Sequence, residues 1–338
     1  MQTRDLSVGY PSTGPLLRKL NLQLRQGELL CLLGPNGSGK STLLRSLSRM
    51  HLPLKGDVLL QGKPMAHFSG NRLSQQLSVV LTERGMAPNL KVRELLTMGR
   101  YPYTGWFGRL NQYDHQIIRQ VMEATDTQRF AERSLYALSD GERQKVMIAR
   151  AMAQDTPLII LDEPTVHLDL PNRVEIMQLL RRLAHEQQKA ILMSSHDLDL
   201  VIQSADQLWL VLEDRVVSGV PEDLILQGKL EQTFRGKNIR FDAYKGNFSI
   251  RKSAQHLIHF KEEDLTGYWT RQALERIGYK VVQDSSIRLR LNIEHVQSRP
   301  VWRLQGKEET VSCFSLEYLL QQLRSRYWPS GKEISSEG

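Results

Sequence analysis

Apolar positions along the 338-residue chain fall into two periods, and the balance shifts near residue 250. Short, largely apolar runs at Leu29–Leu33, 77–81, 157–161, Ala190–Ser194 and 208–212 are too short for helices and end at polar or turn residues, so they read as buried strands. Between them the pattern turns helical: after Thr42, over 114–133, and from Ser139-Asp140-Gly141 through 143–154. Ile176, Leu179, Leu180 and Leu183 repeat at i, i+3, i+4 and i+7, the stripe of an amphipathic helix. Gly56, Gly62 and Pro64 punctuate a polar stretch that reads as hairpin turns. Strands alternating with helices predict an α/β sheet packed by helices.

Beyond residue 250 the runs become shorter and more mixed. Segments 255–260, 280–283, 287–293 and 301–304 read as strands, and 269–277 and 314–323 as helices. The expected organisation is a first domain over 1–250, a small accessory α/β domain over 251–328 and a disordered tail over 329–338.

Composition alters this picture at three points. The net charge of +8 suggests an anionic partner, but residues 1–215 carry 26 basic and 22 acidic side chains and 216–338 carry 19 and 15. Each part is therefore +4, and no basic arm exists to grip nucleic acid. No apolar run approaches the roughly 20 residues of a spanning helix, and the start MQTRDLSVGYP offers no apolar leader. Only Cys31 and Cys313 occur, so no disulfide framework is implied and a reducing, cytosolic setting is expected. A role at a membrane would need another chain to supply the spans.

The candidate chemistry starts where the first apolar run ends. Gly34-Pro35-Asn36-Gly37-Ser38-Gly39-Lys40-Ser41 fits G-x-x-x-x-G-K-[ST], with Thr42 following. Glycines let backbone N–H groups turn toward phosphate oxygens, and the next helix offers its N-terminal donors to the same anion. Lys40 is expected to reach the β/γ-phosphates and the Ser41 hydroxyl to ligate Mg²⁺. A second apolar run ends in Asp162-Glu163-Pro164. Asp162 is placed to support Mg²⁺, and Glu163 to orient and deprotonate an attacking water. Leu138-Ser139-Asp140-Gly141-Glu142 lies upstream, Ser139 being 23 residues before Asp162. His167-Leu168-Asp169 follows Pro164, and Ser195-His196-Asp197 comes after another strand, His196 being 33 residues past Glu163.

These motifs, in this order, resemble the ATP-binding subunit of an ABC (ATP-binding cassette) transporter over roughly residues 1–250. The resemblance implies a P-loop NTPase cassette with a RecA-like sheet core and a helical subdomain, binding ATP and Mg²⁺. It makes Tyr10 the aromatic that stacks on adenine. Ser139, Asp140, Gly141 and Glu142 become the signature that meets the γ-phosphate across a dimer interface. Asp169 belongs to the loop that links the two sites, and His196 senses the γ-phosphate. The implied assembly is a head-to-tail pair of ATP-binding subunits, expected to be a homodimer. It drives a separate multi-span permease at the cytoplasmic face of the membrane, with a substrate-binding protein in the same system. Residues 92–103, VRELLTMGRYPY, resemble the corresponding segment of importers of iron–siderophore, haem and vitamin B12. Tyr101, Tyr103, Trp106 and Phe107 there either face the permease or pack the helical subdomain.

The pattern departs from the family at two places, the milder being Asp140, which stands where the commonest signature has Gly while Ser139 and Gly141 are kept. Members carry a Gln after the strand corresponding to 77–81, where this chain has Thr82-Glu83. Thr82, Glu83 or a water stands in for it. The C-terminal module carries no catalytic signature; a regulatory or dimer-stabilising role is the expectation for it. The competing reading is a soluble ABC-type ATPase acting on nucleic acid or ribosomes. Two sequence features weigh against it: a single set of motifs, and 99 residues without sustained heptads between Lys40 and Ser139.

Overall fold

The computed structural model describes residues 1–81, 90–105, 108–235, 239–243, 246–250, 254, 256–297, 299–306 and 309–327. Thr82, Glu83, Trp106, Phe107 and the 329–338 tail therefore lie outside the described residues. The chain divides into two compact units, Met1–Ser249 and Ile250–Gly338.

The first unit opens with β1 (Gln2–Tyr10) and β2 (Gly14–Leu20), which pair as an antiparallel hairpin. Neither strand shows in the hydrophobic pattern. Their register shifts between Leu6 and Gly9, and Asp5 and Lys19 take φ of 45° and 48°, so bulges break the alternation that would reveal them. β3 (Leu29–Leu33) then runs into the phosphate loop and α1 (Lys40–Leu47). A hairpin of β4 (Lys55–Leu60) and β5 (Lys63–Pro64) joins the first two strands in a sheet ordered β2-β1-β4-β5. A short α2 (Gly70–Ser74) precedes β6 (Leu77–Val80).

Three helices follow: α3 (Val92–Gly99), α4 (Gln112–Ala124) and α5 (Asp140–Ala153). The expected helix over 114–133 stops at Ala124, because Asp126 turns the backbone left-handed at φ 52°. α3 and α5 cross closely at Gly99, where a Cβ would lie 2.7 Å from the Arg150 carbonyl oxygen. Arg100 and Asp114 are fused into the same junction. Both are almost fully buried, Arg100 Nε donates to Asp114 Oδ1 at 2.8 Å, and Arg100 Nη1 donates to the Ala153 carbonyl at 2.9 Å. The guanidinium also lies 4.1 Å from the centre of the Tyr103 ring. Tyr101 and Tyr103 remain exposed on a short 3-10 turn.

The rest of the unit alternates β7 (Leu158–Leu161), α6 (Leu170–His185), β8 (Ala190–Ser194), α7 (Leu198–Ser204), β9 (Gln207–Leu212) and β10 (Arg215–Gly219). α8 (Pro221–Leu226), α9 (Lys229–Thr233) and β11 (Ile239–Asp242) follow, and β12 (Asn247–Ile250) runs to the boundary of the unit. The central sheet has the order β10-β9-β3-β8-β7-β6, parallel except for the β10 edge. Alternation sends Leu29, Cys31 and Leu33 into one apolar layer with the helices, and Leu30 and Leu32 into another with α1 and the β1–β2 hairpin. Burial on both faces explains why its five parallel strands read as largely apolar runs, while the part-exposed β10 edge does not. All four residues of the predicted stripe on α6 are buried.

The second unit is built on β13 (His256–Phe260), α10 (Leu265–Arg276), β14 (Tyr279–Val282), β15 (Arg290–Val296), β16 (Arg299–Gln305), β17 (Thr310–Cys313) and α11 (Leu316–Tyr327). Its sheet runs β14-β13-β15-β16-β17. Ile258, Phe260, Leu274, Leu291, Trp302, Leu319 and Leu323 form its own core. α10 starts four residues before the expected position because Asp264 caps it, accepting from the Gly267 N–H at 2.7 Å. Each unit buries one cysteine completely, Cys31 in β3 and Cys313 in β17.

Candidate functional site

Adjacent parallel strands release their loops at one edge of a sheet, and in this sheet β8 lies between β3 and β7. The phosphate loop leaves β3, Asp162-Glu163 leaves β7 and Ser195-His196 leaves β8. Segments more than 120 residues apart in sequence thus meet through topology alone.

Gly34 is buried at the end of β3, where a Cβ would lie 2.9 Å from both Ser38 Oγ and Val211 Cβ. Gly37 and Gly39 take φ of 76° and 96°, a left-handed turn that only glycine adopts without strain. Gly39 leads directly into α1, whose first-turn N–H groups have no partners within the helix. Pro35, Asn36 and Gly37 are exposed, as is Ser41, while Thr42 is buried. The Lys40 stem is buried and its Nζ arches back over the loop, donating to the carbonyls of Gly34 at 2.8 Å and Pro35 at 2.9 Å. Burial lowers the Lys40 pKa, and the carboxylates of Glu163 and Asp162 work against that shift. Ser38 Oγ is buried without a hydrogen-bond partner. The loop is a cradle of donors of the size and sign that a phosphate chain needs.

Across from it, Asp162 Oδ1 accepts from Ser194 Oγ at 2.6 Å, and the same Ser194 Oγ accepts from the Glu163 N–H at 2.9 Å. Glu163 sits at φ 51°, a conformation unusual for a residue with a Cβ, so the chain is bent sharply to aim its carboxylate. His196 Nε2 lies 2.5 Å from Glu163 Oε1. An exposed imidazole paired to a half-buried carboxylate can hold that carboxylate in one rotamer next to a polarised water.

Asp169 caps α6, its Oδ1 accepting from the N–H of Asn172 at 3.3 Å and from Asn172 Nδ2 at 2.6 Å. Asn172 in turn packs on the start of α5, where a Cβ on Gly141 would come within 2.8 Å of its amide carbon. The signature residues otherwise bond mostly among themselves and their helix, apart from Glu142, whose Oε1 also lies 3.5 Å from Arg133 Nη1. Ser139 Oγ accepts from the Glu142 N–H at 3.2 Å, Glu142 Oε2 accepts from the Ser139 N–H at 2.9 Å, and Asp140 pairs with Arg143. The bond from the Ser139 backbone is the main cause that holds the Glu142 carboxyl below the usual range. The structure therefore gathers Lys40, Asp162, Glu163 and His196 into one cluster and sets Ser139–Glu142 beside the Asp169 loop instead. Tyr10, at the tip of the β1–β2 hairpin, is 40% exposed, with its hydroxyl 3.5 Å from Thr42 Oγ1.

A magnesium ion suits the donors present. The Ser41 hydroxyl and the Asp162 carboxylate are hard oxygen ligands, and Mg²⁺ is held by one or two protein oxygens together with phosphate and water.

The sequence matches the ABC transporter family over residues 17–166 and the iron ABC transporter C-terminal domain over residues 255–324. It is 38% identical over 254 residues to an ABC transporter ATP-binding protein of Methanocaldococcus jannaschii, covering 75% of this chain and 87% of that protein. The chain belongs to the ATP-binding proteins of ABC transporters. The petrobactin import ATP-binding protein FpuD of Bacillus anthracis is 36% identical over 237 residues, 70% of this chain and 86% of FpuD. Among solved structures, an ABC transporter classed as metal-chelate type, in an inward-facing conformation, superposes with a TM-score of 0.62 at 28% identity, covering 73% of this chain and 94% of that one. This ABC protein is accordingly an ATPase, and ATP is its nucleotide.

Two residues of this ABC protein's site escaped the sequence reading. Ser194 ends the strand AILMS and looks like any strand terminus, yet it bridges both carboxylate residues. Arg173 donates from Nε to the Leu168 carbonyl at 2.7 Å and from Nη1 to Asp197 Oδ2 at 3.1 Å, tying the Asp169 loop to the His196 segment. The only sequence signal for Ser194 is a polar residue closing a strand one position before the Ser195-His196 pair. Replacing Ser194 with Ala removes a bond to a charged group, a loss of about 1.5–3 kcal/mol. The expected result is an ATPase rate reduced by about ten- to a hundredfold with ATP affinity little changed, read by phosphate release and nucleotide titration.

Proposed function

We propose that this protein is the ATP-driven motor of an importer for a chelated-iron or related cargo, of the siderophore, haem or cobalamin kind, acting on a separate multi-span permease. The reading rests chiefly on one observation: phosphate loop, Asp162, Glu163 and His196 converge at the edge of a single parallel sheet while Ser139–Glu142 is turned toward the Asp169 loop. One chain thus presents half of a nucleotide site and, elsewhere, a helix N-terminus with exposed Ser139 that fits the other half.

In this reading the backbone of 34–39 and Lys40 bind the phosphates, and Tyr10 stacks on the base. Ser41 and Asp162 hold Mg²⁺, which would neutralise phosphate charge. Glu163 takes the proton of the attacking water, and His196 keeps the Glu163 carboxylate aimed. Hydrolysis waits for a second subunit to bring its Ser139–Glu142 over the γ-phosphate, because positioning and charge stabilisation are incomplete until then. The pair is a homodimer, docked to the permease at the cytoplasmic face of the membrane. No helix among the described residues is long and apolar enough to cross a membrane, in keeping with the spans residing in a partner. The match to the iron ABC transporter C-terminal domain and the likeness to FpuD and a metal-chelate type transporter support the cargo class. A substrate-binding protein completes the system.

The test is uptake. Cells lacking this gene are expected to lose ATP-dependent accumulation of a labelled ferric siderophore, haem or cobalamin, and the intact gene to restore it. Unchanged uptake of all three would reject the cargo class.

A further inference from the structure

His51 lies four residues past the end of α1, far in sequence from the β1–β2 hairpin, yet it closes on the hairpin tip. Its Nε2 is 2.8 Å from the Gly9 carbonyl oxygen, and its ring centre is 5.1 Å from that of Tyr10 with the planes tilted by 52°. A carbonyl oxygen only accepts, so Nε2 carries the hydrogen in this contact. The carbonyl it grips is well fixed. A Cβ on Gly9 would lie 2.3 Å from the Gly14 carbonyl oxygen, so the two strands meet there without room for a side chain. The Tyr10 hydroxyl reaches Thr42 Oγ1 at 3.5 Å. Tyr10 is thereby spanned between the start of α1, through Thr42, and the segment leaving its other end, through His51. The N–H of His51 is anchored in turn on the Arg45 carbonyl at 3.1 Å.

We propose that His51 is a positioning residue for the nucleotide base: it fixes the backbone and ring of Tyr10 so that the aromatic face stands ready over the phosphate-loop helix. The proposal rests on the reading of Tyr10 as the base-stacking residue. Holding the ring in advance removes an ordering cost that would otherwise be charged against base binding. The contact is confined to the hairpin tip and the end of α1, so the phosphate end of the nucleotide is untouched by it.

The experiment compares Mg²⁺-ATP with Mg²⁺-tripolyphosphate, which has the phosphates and no base, binding to the full-length chain. His51→Ala is expected to weaken ATP by about three- to tenfold, the worth of one aromatic pair, and to leave tripolyphosphate unchanged. His51→Gln, which keeps an N–H for the Gly9 carbonyl, recovers part of the loss. Added to Tyr10→Ala, His51→Ala has no further effect. If His51→Ala binds ATP as the unmodified chain does while Tyr10→Ala does not, the proposal is overturned and the Tyr10 reading stands. Equal weakening of ATP and tripolyphosphate also overturns it, since His51 would then only hold the loop together. If Tyr10→Ala leaves ATP affinity intact, the Tyr10 reading falls and takes the proposal with it.

Discussion

Glu163→Gln is expected to bind ATP within a few-fold of the unmodified protein and to hydrolyse it about 10²–10⁴ times more slowly, the usual worth of a general base. Glutamine has the same length, so it keeps the contact with His196 Nε2 and the left-handed backbone at φ 51° that the loop imposes. The N–H that Glu163 donates to Ser194 Oγ belongs to the backbone and is untouched. What disappears is the ability to take a proton. Neither Lys40 nor the 34–39 backbone changes, so phosphate affinity stays. Phosphate release under saturating ATP, paired with a nucleotide titration, separates the two effects. Turnover near the unmodified rate would remove Glu163 from its role. A large loss of affinity would mean that the substitution had disturbed the cradle.

The second large effect is on stability. Asp114→Ala leaves the Arg100 guanidinium buried without its carboxylate, a change that costs about 3–5 kcal/mol. At roughly 2–4 °C per kcal/mol for a domain of this size, the melting transition of the first unit falls by on the order of 10 °C. Replacing both partners together, Arg100→Met with Asp114→Leu, is expected to recover most of that loss, because no charge is then stranded. The pair also fixes a direction in pH. Burial tends to raise the Asp114 pKa, but bonds from the Asn111 N–H and the Arg100 side chain outweigh it and hold the carboxyl below its usual range. A depressed folded-state pKa stabilises the protein above the unfolded value and loses that contribution as pH falls through the folded one. Melting curves recorded downward from neutral pH should therefore converge for the native chain and Asp114→Ala under acid conditions. Curves that stay parallel would place the acid sensitivity elsewhere.

The parts legible in the sequence are those whose chemistry is contiguous. Gly34–Ser41 carries its turn, its lysine and its hydroxyl within eight residues, and Asp162-Glu163 ends a run of apolar residues that cannot be surface. The five parallel strands of the central sheet showed because burial on both faces removes most polar positions, whereas the part-exposed antiparallel edge β10 did not. β1 and β2 did not, since bulges at their paired edge scramble the alternation. Ser194, Arg173 and His51 were invisible for another reason. Each acts on a residue 5 to 42 positions away, through contacts that only the strand order and the hairpin create. An isolated serine, arginine or histidine carries no mark of its partner. β17 was missed because four residues, TVSC, are too few for a period to emerge.

The two cysteines offer a consequence beyond catalysis. Cys31 and Cys313 are both wholly buried, one in each unit, and burial pushes the Cys31 thiol well above its ordinary pKa. Neither can react with an alkylating reagent until its own sheet opens. The chain thus carries one internal clock per unit. Pulse alkylation followed by mass mapping would time the opening of the nucleotide-binding sheet and of the C-terminal sheet separately in one sample, without any engineered probe residue.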